Sequence, residues 1–120
     1  MGDYRTLLAY EKSFSLAMDI YQLSKSFPSE ERYSLTDQVR RSSRSVCTNL
    51  VEAYKRRRYK SYFISKLNDS ETENAETQVW LDFALACNYL SKEKYDDLKL
   101  KNDETARLIW YMINNPEKFS

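Results

Sequence analysis

The sequence predicts an all-α protein, an antiparallel up-down-up-down four-helix bundle, and three observations carry that expectation. Apolar residues recur at spacings of three and four along most of the chain, the period of a helix with one buried face. One glycine and two prolines in 120 residues leave almost nothing for tight hairpins, whose turns need residues that tolerate positive φ. Four periodic stretches of about twenty residues, joined by connections too short for crossovers, then leave antiparallel neighbours as the arrangement.

Leu7, Tyr10, Phe14, Ala17 and Tyr21 mark the first helix, expected over 4–25, and are its predicted apolar stripe. It stops before Phe27-Pro28, because the residue preceding proline is pushed out of the α region. Ser29 to Tyr33 is expected to hold a short helical turn. Ser34, with Asp37 three residues later, is the predicted N-cap of the second helix, over 35–54. That helix carries a stripe of Leu35, Val39, Ser42, Val46, Leu50 and Ala53, with a polar edge of Gln38, Ser45, Asn49 and Glu52 beside it. The third helix, over 59–87, carries Phe63, Leu67, Trp80, Leu81, Ala84 and Leu85 around an unusually polar middle from Asp69 to Gln78. Asn88 suits the left-handed position that ends many helices. Ser91 is the N-cap candidate for a fourth helix, over 92–114, burying Tyr95, Leu98, Thr105, Ile109 and Met112. With 42% hydrophobic residues there is material for one core, and residues 1–120 read as a single domain.

Composition excludes more chemistry than it suggests. The chain has no histidine, so the commonest general acid/base and the commonest transition-metal ligand are missing. Acid pairs such as Asp69 with Glu73, or Glu73 with Glu76, share a helix face, but bundle di-metal sites use a Glu-x-x-His motif that this chain cannot build. No metal site is expected and no cofactor is implied. Cys47 and Cys87 lie forty positions apart with no close partner, and are expected to be reduced thiols buried as small hydrophobes within the second and third helices. The chain is accordingly expected not to be an enzyme. No signal-like or membrane-spanning segment is read in the sequence, which makes a cytoplasmic location, with no membrane partner, the expectation.

Charge is nearly balanced, at nineteen Lys and Arg against eighteen Asp and Glu, but it is not evenly spread. From Arg32 to Lys60 there are nine bases against two acids, and from Ser61 to Phe83 one base, Lys66, against five acids. Neighbouring helices of a bundle exchange surface salt bridges of at most about 1 kcal/mol each, and many of these charges fit that role. A second reading is nucleic acid. Arg40, Arg41, Arg44, Lys55, Arg56, Arg57, Arg58 and Lys60 would meet phosphates, with Tyr59 and Tyr62 beside them as rings on which bases stack. A third is self-assembly, in which the basic face of one subunit meets the acidic face of the next; two unlike patches make a head-to-tail contact that closes into a ring.

The polar edge of the second helix, Gln38, Ser45, Asn49 and Glu52, must find partners or cost about 1–3 kcal/mol per buried group. An internal network fixing helix register is the preferred reading, with Asn74 or Gln78 of the third helix as partners. A ligand site is the alternative.

The run from Phe27-Pro28-Ser29-Glu30 through Leu35-Thr36-Asp37-Gln38-Val39-Arg40-Arg41-Ser42 to Asn49-Leu50-Val51-Glu52-Ala53 resembles the central signature of the four-helix-bundle proteins encoded in intervening sequences of bacterial 23S rRNA genes. Glu76-Thr77-Gln78-Val79-Trp80-Leu81-Asp82-Phe83-Ala84, followed by Asn88-Tyr89-Leu90-Ser91, is similar to the same family's third helix and its exit. Ala53 and Asn88 stand where the family often has glycine. The resemblance implies a four-helix bundle that assembles as a homopentamer, with no established enzymatic activity. The related accessory protein of diversity-generating retroelements is similar in form, and it binds nucleic acid and a reverse transcriptase through a basic pentameric barrel. The positions that match here are Arg40, Arg41 and Lys55 to Arg58.

The expectation is therefore a non-enzymatic homo-oligomer, a pentamer by resemblance, that binds RNA or DNA through a basic patch at the turn between the second and third helices. The alternative is an interaction scaffold whose charged faces serve self-assembly or dock a protein partner.

Overall fold

A computed structural model describes residues 2–120, and among them the chain forms four α-helices and no strand. Helix α1 spans Leu8–Ser24, α2 Leu35–Lys55, α3 Lys60–Ala86 and α4 Lys92–Asn114, with 3₁₀ turns at Tyr4–Thr6, Ser29–Glu31 and Pro116–Lys118. Cross-helix contacts run in opposite directions at each neighbouring pair. Between α2 and α3, Glu52 meets Lys66, Val46 meets Ser70 and Ser42 meets Thr77. Between α1 and α2, Ser13 meets Cys47 and Ser24 meets Arg40. Asp19 meets Lys101 and Lys12 meets Glu104 between α1 and α4, and Asn74 meets Asn102 between α3 and α4. All neighbours are thus antiparallel, with α1 diagonal to α3 and α2 diagonal to α4 in a bundle about 44 Å long.

The α2 stripe is buried as its spacing predicts: Leu35, Val39, Ser42, Val46, Leu50 and Ala53 all face inward. The predicted α1 stripe is buried only at Leu7 and Ala17. The inward residues are Ala9, Ser13, Leu16, Ala17 and Ile20, while Phe14 is 50% exposed and Tyr10 and Tyr21 are half-buried. The aromatic row therefore lies roughly 100° round the helix from the true inner face. Small residues at Ala9 and Ser13 let α1 approach α2, where the Cys47 thiol donates to the Ser13 hydroxyl at 3.4 Å.

The start of α1 is also later than its periodicity suggests. Asp3 accepts the Arg5 N–H at 2.9 Å and closes a 3₁₀ turn, and extended Leu7 (φ −69°, ψ 126°) then separates that turn from the helix. Ser34 does not cap α2. Its hydroxyl donates to Glu31 at 2.6 Å, and Glu31 itself accepts the Leu35 N–H at 3.3 Å, so a carboxylate from the preceding turn does the capping. Ser91 does cap α4, accepting the Lys94 N–H at 3.2 Å. At the end of α3, Asn88 adopts φ 62°. Its N–H bonds to Leu85 O and that of Tyr89 to Ala84 O, a Schellman motif in which asparagine takes the usual glycine position.

The core has two apolar halves with a polar waist. Val46, Leu50, Phe63, Leu67 and Ile109 anchor the half near the α2–α3 turn, and Leu16, Ile20, Val39, Leu81 and Leu98 the other. Between them, Thr77 donates to the Ser42 hydroxyl at 2.8 Å and Ser70 to Val46 O at 2.8 Å. Asn74 donates to Asn102 O at 3.1 Å and Asn102 returns a bond to Asn74 O at 3.2 Å. Within the polar middle of α3, Ser70, Asn74 and Thr77 are thus an inward-facing row whose donors are met by α2 and α4.

Candidate nucleic-acid interface

The α2–α3 turn is short and closed by backbone bonds on both sides of Arg58. Arg57 N–H bonds to Tyr54 O at 3.3 Å and Tyr59 N–H to Arg56 O at 2.9 Å, after which Tyr59 O accepts from Phe63 and opens α3. This places Lys55, Arg56, Arg57, Arg58, Tyr59, Lys60 and Tyr62 together at one end of the bundle. Arg57 folds back: its guanidinium donates to Tyr54 O at 2.8 Å and lies 4.0 Å from the centre of the Tyr54 ring. It is half-buried and serves the carbonyl end of α2, where a cation also complements the helix dipole.

The other four cations point outward. Arg56 sits 5.2 Å from the Tyr62 ring, Arg58 5.7 Å from Tyr59 and Lys55 6.0 Å from Tyr4. Among the described residues no carboxylate lies within 4.0 Å of any of them or of Lys60. Tyr59 is 57% exposed and Tyr62 41%. The first turn of α3 contains no acid and no side chain caps it, so its free N–H groups add to the positive potential.

The remaining predicted cations do not join this patch. Arg40 lies sixteen residues before Arg56 on the same helix, roughly 24 Å away at 1.5 Å per residue. It donates through Nε to the Ser24 hydroxyl at 2.8 Å and, with Arg44 and Lys25, surrounds the Tyr21 ring. Arg41 points the other way, toward α3, where it meets Glu76 at 3.2 Å and Glu73 at 3.7 Å. Burial and the neighbouring Glu76 push the Glu73 carboxyl up, and Arg41 offsets part of that shift. The ten predicted residues thus occupy three places: the turn, the α1–α2 face and the α2–α3 seam. Lys25 and Tyr21 escaped the sequence reading because they stand on α1. Their i, i+4 spacing is the signal that places them side by side.

The polar edge of α2 turns toward α3 but not to the expected partners. Glu52 takes the Lys66 ammonium at 2.8 Å, which holds that ammonium above its ordinary range. Ser45 lies beside Glu73 and accepts from Asn49 at 3.1 Å, and Gln38 accepts from Arg41 at 3.3 Å. Asn74 instead pairs with Asn102, and Gln78 donates to Asp82 and to the Tyr95 hydroxyl, because both face α4. The Asp82 hydrogen bond pushes the Tyr95 hydroxyl up to about 12.

Cys47 is buried, and burial raises its thiol, whereas Cys87 is exposed one residue past the end of α3, where the chain leaves the helix. Among the described residues no group of three or more His, Cys, Asp or Glu side chains is arranged to hold a metal ion, and no helix is long and apolar enough to cross a membrane.

These features define an all-α four-helix bundle with a basic, ring-flanked turn. The profile of the 23S rRNA-intervening sequence protein family matches residues 5–111, and the chain belongs to that family. A crystal structure of a protein of unknown function from the S23 ribosomal protein family of Bacteroides thetaiotaomicron is similar, with a TM-score of 0.81 and 28% sequence identity. The match covers 89% of this chain and 96% of that one. No curated protein matches the chain.

Proposed function

We propose that this chain is a non-enzymatic subunit of a homo-oligomer, a pentamer by family resemblance, that binds RNA or DNA at the α2–α3 turn. The observation that carries the reading is the set of four outward cations, Lys55, Arg56, Arg58 and Lys60, left without carboxylate partners beside the exposed rings of Tyr59 and Tyr62. Cations already matched to carboxylates contribute little to phosphate binding; unmatched ones release counterions from a polynucleotide and bind through charge. The rings add stacking that every base can use, so the binding has little sequence preference. Assembly multiplies the patch, since each added subunit brings one more turn to the same polyanion.

One observation favours the scaffold reading as a second role. Phe14 and Met18 are exposed beside Tyr10 and Val51 on the outer flank of α1 and α2, an apolar face suited to a second copy of the chain. Gel-shift titration of a structured RNA and a single-stranded DNA against salt, alongside the native mass of the particle, tests both parts. Affinity that does not change with salt removes the nucleic-acid reading, and a monomeric mass removes the assembly.

A further inference from the structure

A cleft of about 870 Å³ opens where the end of α1 faces the first half of α2. Its charged lining is unequal: Lys25, Arg32, Arg40 and Arg44 face it as free cations, Arg41 lines it while paired to Glu73 and Glu76, and Asp37 is its single acid. Lys25 Nζ lies 4.8 Å from the centre of the Tyr21 ring, and the Arg40 and Arg44 guanidinium carbons lie 4.9 and 5.7 Å from it. None of these three has a carboxylate within 4.0 Å among the described residues. One ring offers each cation a modest attraction, but three like charges around it repel one another, and an anion between them reverses that balance.

One member of the cage is fixed in advance. Arg40 is held through Nε by the Ser24 hydroxyl, which in turn donates to Tyr21 O at 3.1 Å, so the outer edge of the guanidinium is presented to the cleft at little ordering cost. Two forked guanidinium groups and an ammonium gathered within 5.7 Å of one ring centre suit the three or four oxygens of a phosphate better than the two of a carboxylate. At the rim, Tyr33 is 85% exposed, with Arg32 5.8 Å from its ring, a free face on which a base can stack.

We infer that this cleft is a nucleotide phosphate site, built from Lys25, Arg40 and Arg44 around Tyr21 and separate from the α2–α3 turn. The phosphate ester comes either from the end of a polynucleotide or from a free nucleotide. The site stands whether or not a polynucleotide binds at the turn, because Arg40 and Arg44 precede Arg56 by roughly 24 and 18 Å along α2.

Isothermal titration of the full chain with inorganic pyrophosphate tests it, and Arg44→Gln is the informative variant because Arg44 is exposed and makes no structural hydrogen bond. Pyrophosphate binds the wild type, and Arg44→Gln weakens that binding about tenfold. The pair Arg56→Gln and Arg58→Gln leaves pyrophosphate affinity unchanged while lowering that for a 5′-hydroxyl oligonucleotide. A 5′-phosphate that raises oligonucleotide affinity in the wild type but not in Arg44→Gln makes the polynucleotide end the source. Competition by adenosine diphosphate, with no effect of the 5′-phosphate, makes it a free nucleotide. No pyrophosphate binding by the wild type, equal binding by Arg44→Gln, or equal competition by a hexaglutamate peptide overturns the assignment.

Discussion

The Tyr89 hydroxyl donates to Glu31 Oε2 at 2.9 Å, tying the α3–α4 turn to the start of α2, while Glu31 Oε1 accepts the Ser34 hydroxyl and the Leu35 N–H. One carboxylate thus caps a helix and joins two ends of the chain that are 58 residues apart. The Ser34 and Tyr89 hydroxyls hold the Glu31 carboxyl below its ordinary range, and the same contact pushes Tyr89 up to about 12. For Glu31 the folded value is depressed, so its contribution is present above the usual glutamate range and is lost as pH falls through the folded value. For Tyr89 the folded value is raised, so its contribution is complete below the ordinary tyrosine value near 10 and is lost between there and about 12. Glu31→Gln lowers the thermal midpoint at pH 7 by roughly 3–6 °C, and the difference from wild type shrinks in acid. Tyr89→Phe gives a difference in urea midpoint that shrinks above pH 10. Constant differences across those windows would falsify the linkage.

Asn74 and Asn102 exchange hydrogen bonds at the waist. Asn74→Leu leaves the Asn102 side-chain oxygen buried without its donor, while Asn102 still donates to the Asn74 backbone carbonyl, a loss of about 1–3 kcal/mol. Adding Asn102→Leu costs less than the sum of the two single changes, because the second replacement removes the orphaned group. Urea unfolding of the four proteins in the cycle measures the coupling; strict additivity contradicts the pairing.

Leu16 and Phe14 are close in sequence and opposite in burial. Leu16→Ala opens a cavity in the core half away from the α2–α3 turn and costs about 2–5 kcal/mol. Phe14→Ala changes subunit stability by no more than about 0.5 kcal/mol, as expected for an exposed position. These values refer to the monomer, measured at dilutions where assembly contributes nothing.

That contrast shows where the sequence was legible. On α2 the apolar residues form one row and no competing row exists, so its inner face follows from spacing alone. On α1 two rows compete, and the aromatic one, Tyr10, Phe14 and Tyr21, outweighs Ala9 and Ser13 on any hydrophobicity scale. Close approach to α2 decides in favour of the small residues, and spacing within one helix carries no record of the neighbour. Ser34 departs from its pattern for a related reason: a serine before a helix is a common cap, but the longer Glu31 side chain takes both the Ser34 hydroxyl and the first N–H of α2, that of Leu35, from the turn. The basic set divided because adjacent positions such as Arg40 and Arg41 point about 100° apart on a helix, toward different neighbours. Asn88, Ser91 and the helix count were legible because they depend on local backbone chemistry.

Phe14→Glu with Met18→Glu places charge on the outer flank of α1 without touching the core. The expected result is a particle that falls to subunit mass while its circular dichroism is unchanged. An intact oligomer by native mass spectrometry sinks the proposal that this face meets a second copy.

Arg56→Gln with Arg58→Gln removes two of the four outward cations at the turn. The slope of log affinity against log salt for single-stranded DNA falls in magnitude by about 1.4, at roughly 0.7 per lost phosphate contact. Charge reversal at Arg56, Arg57 and Arg58 that dissolves the oligomer instead assigns the turn to subunit contact.

The near-cancellation of charge, +1 overall, conceals separate charged regions, with cations at the α2–α3 turn and in the α1–α2 cleft and acids along the middle of α3. A body with almost no monopole exerts little pull at a distance and a torque when near. At physiological ionic strength the field fades within about 8 Å, so in the proposed assembly two copies would meet without long-range attraction and rotate into orientation only over the last few water layers. Their meeting rate should then depend weakly on salt, and the geometry of their first contact strongly.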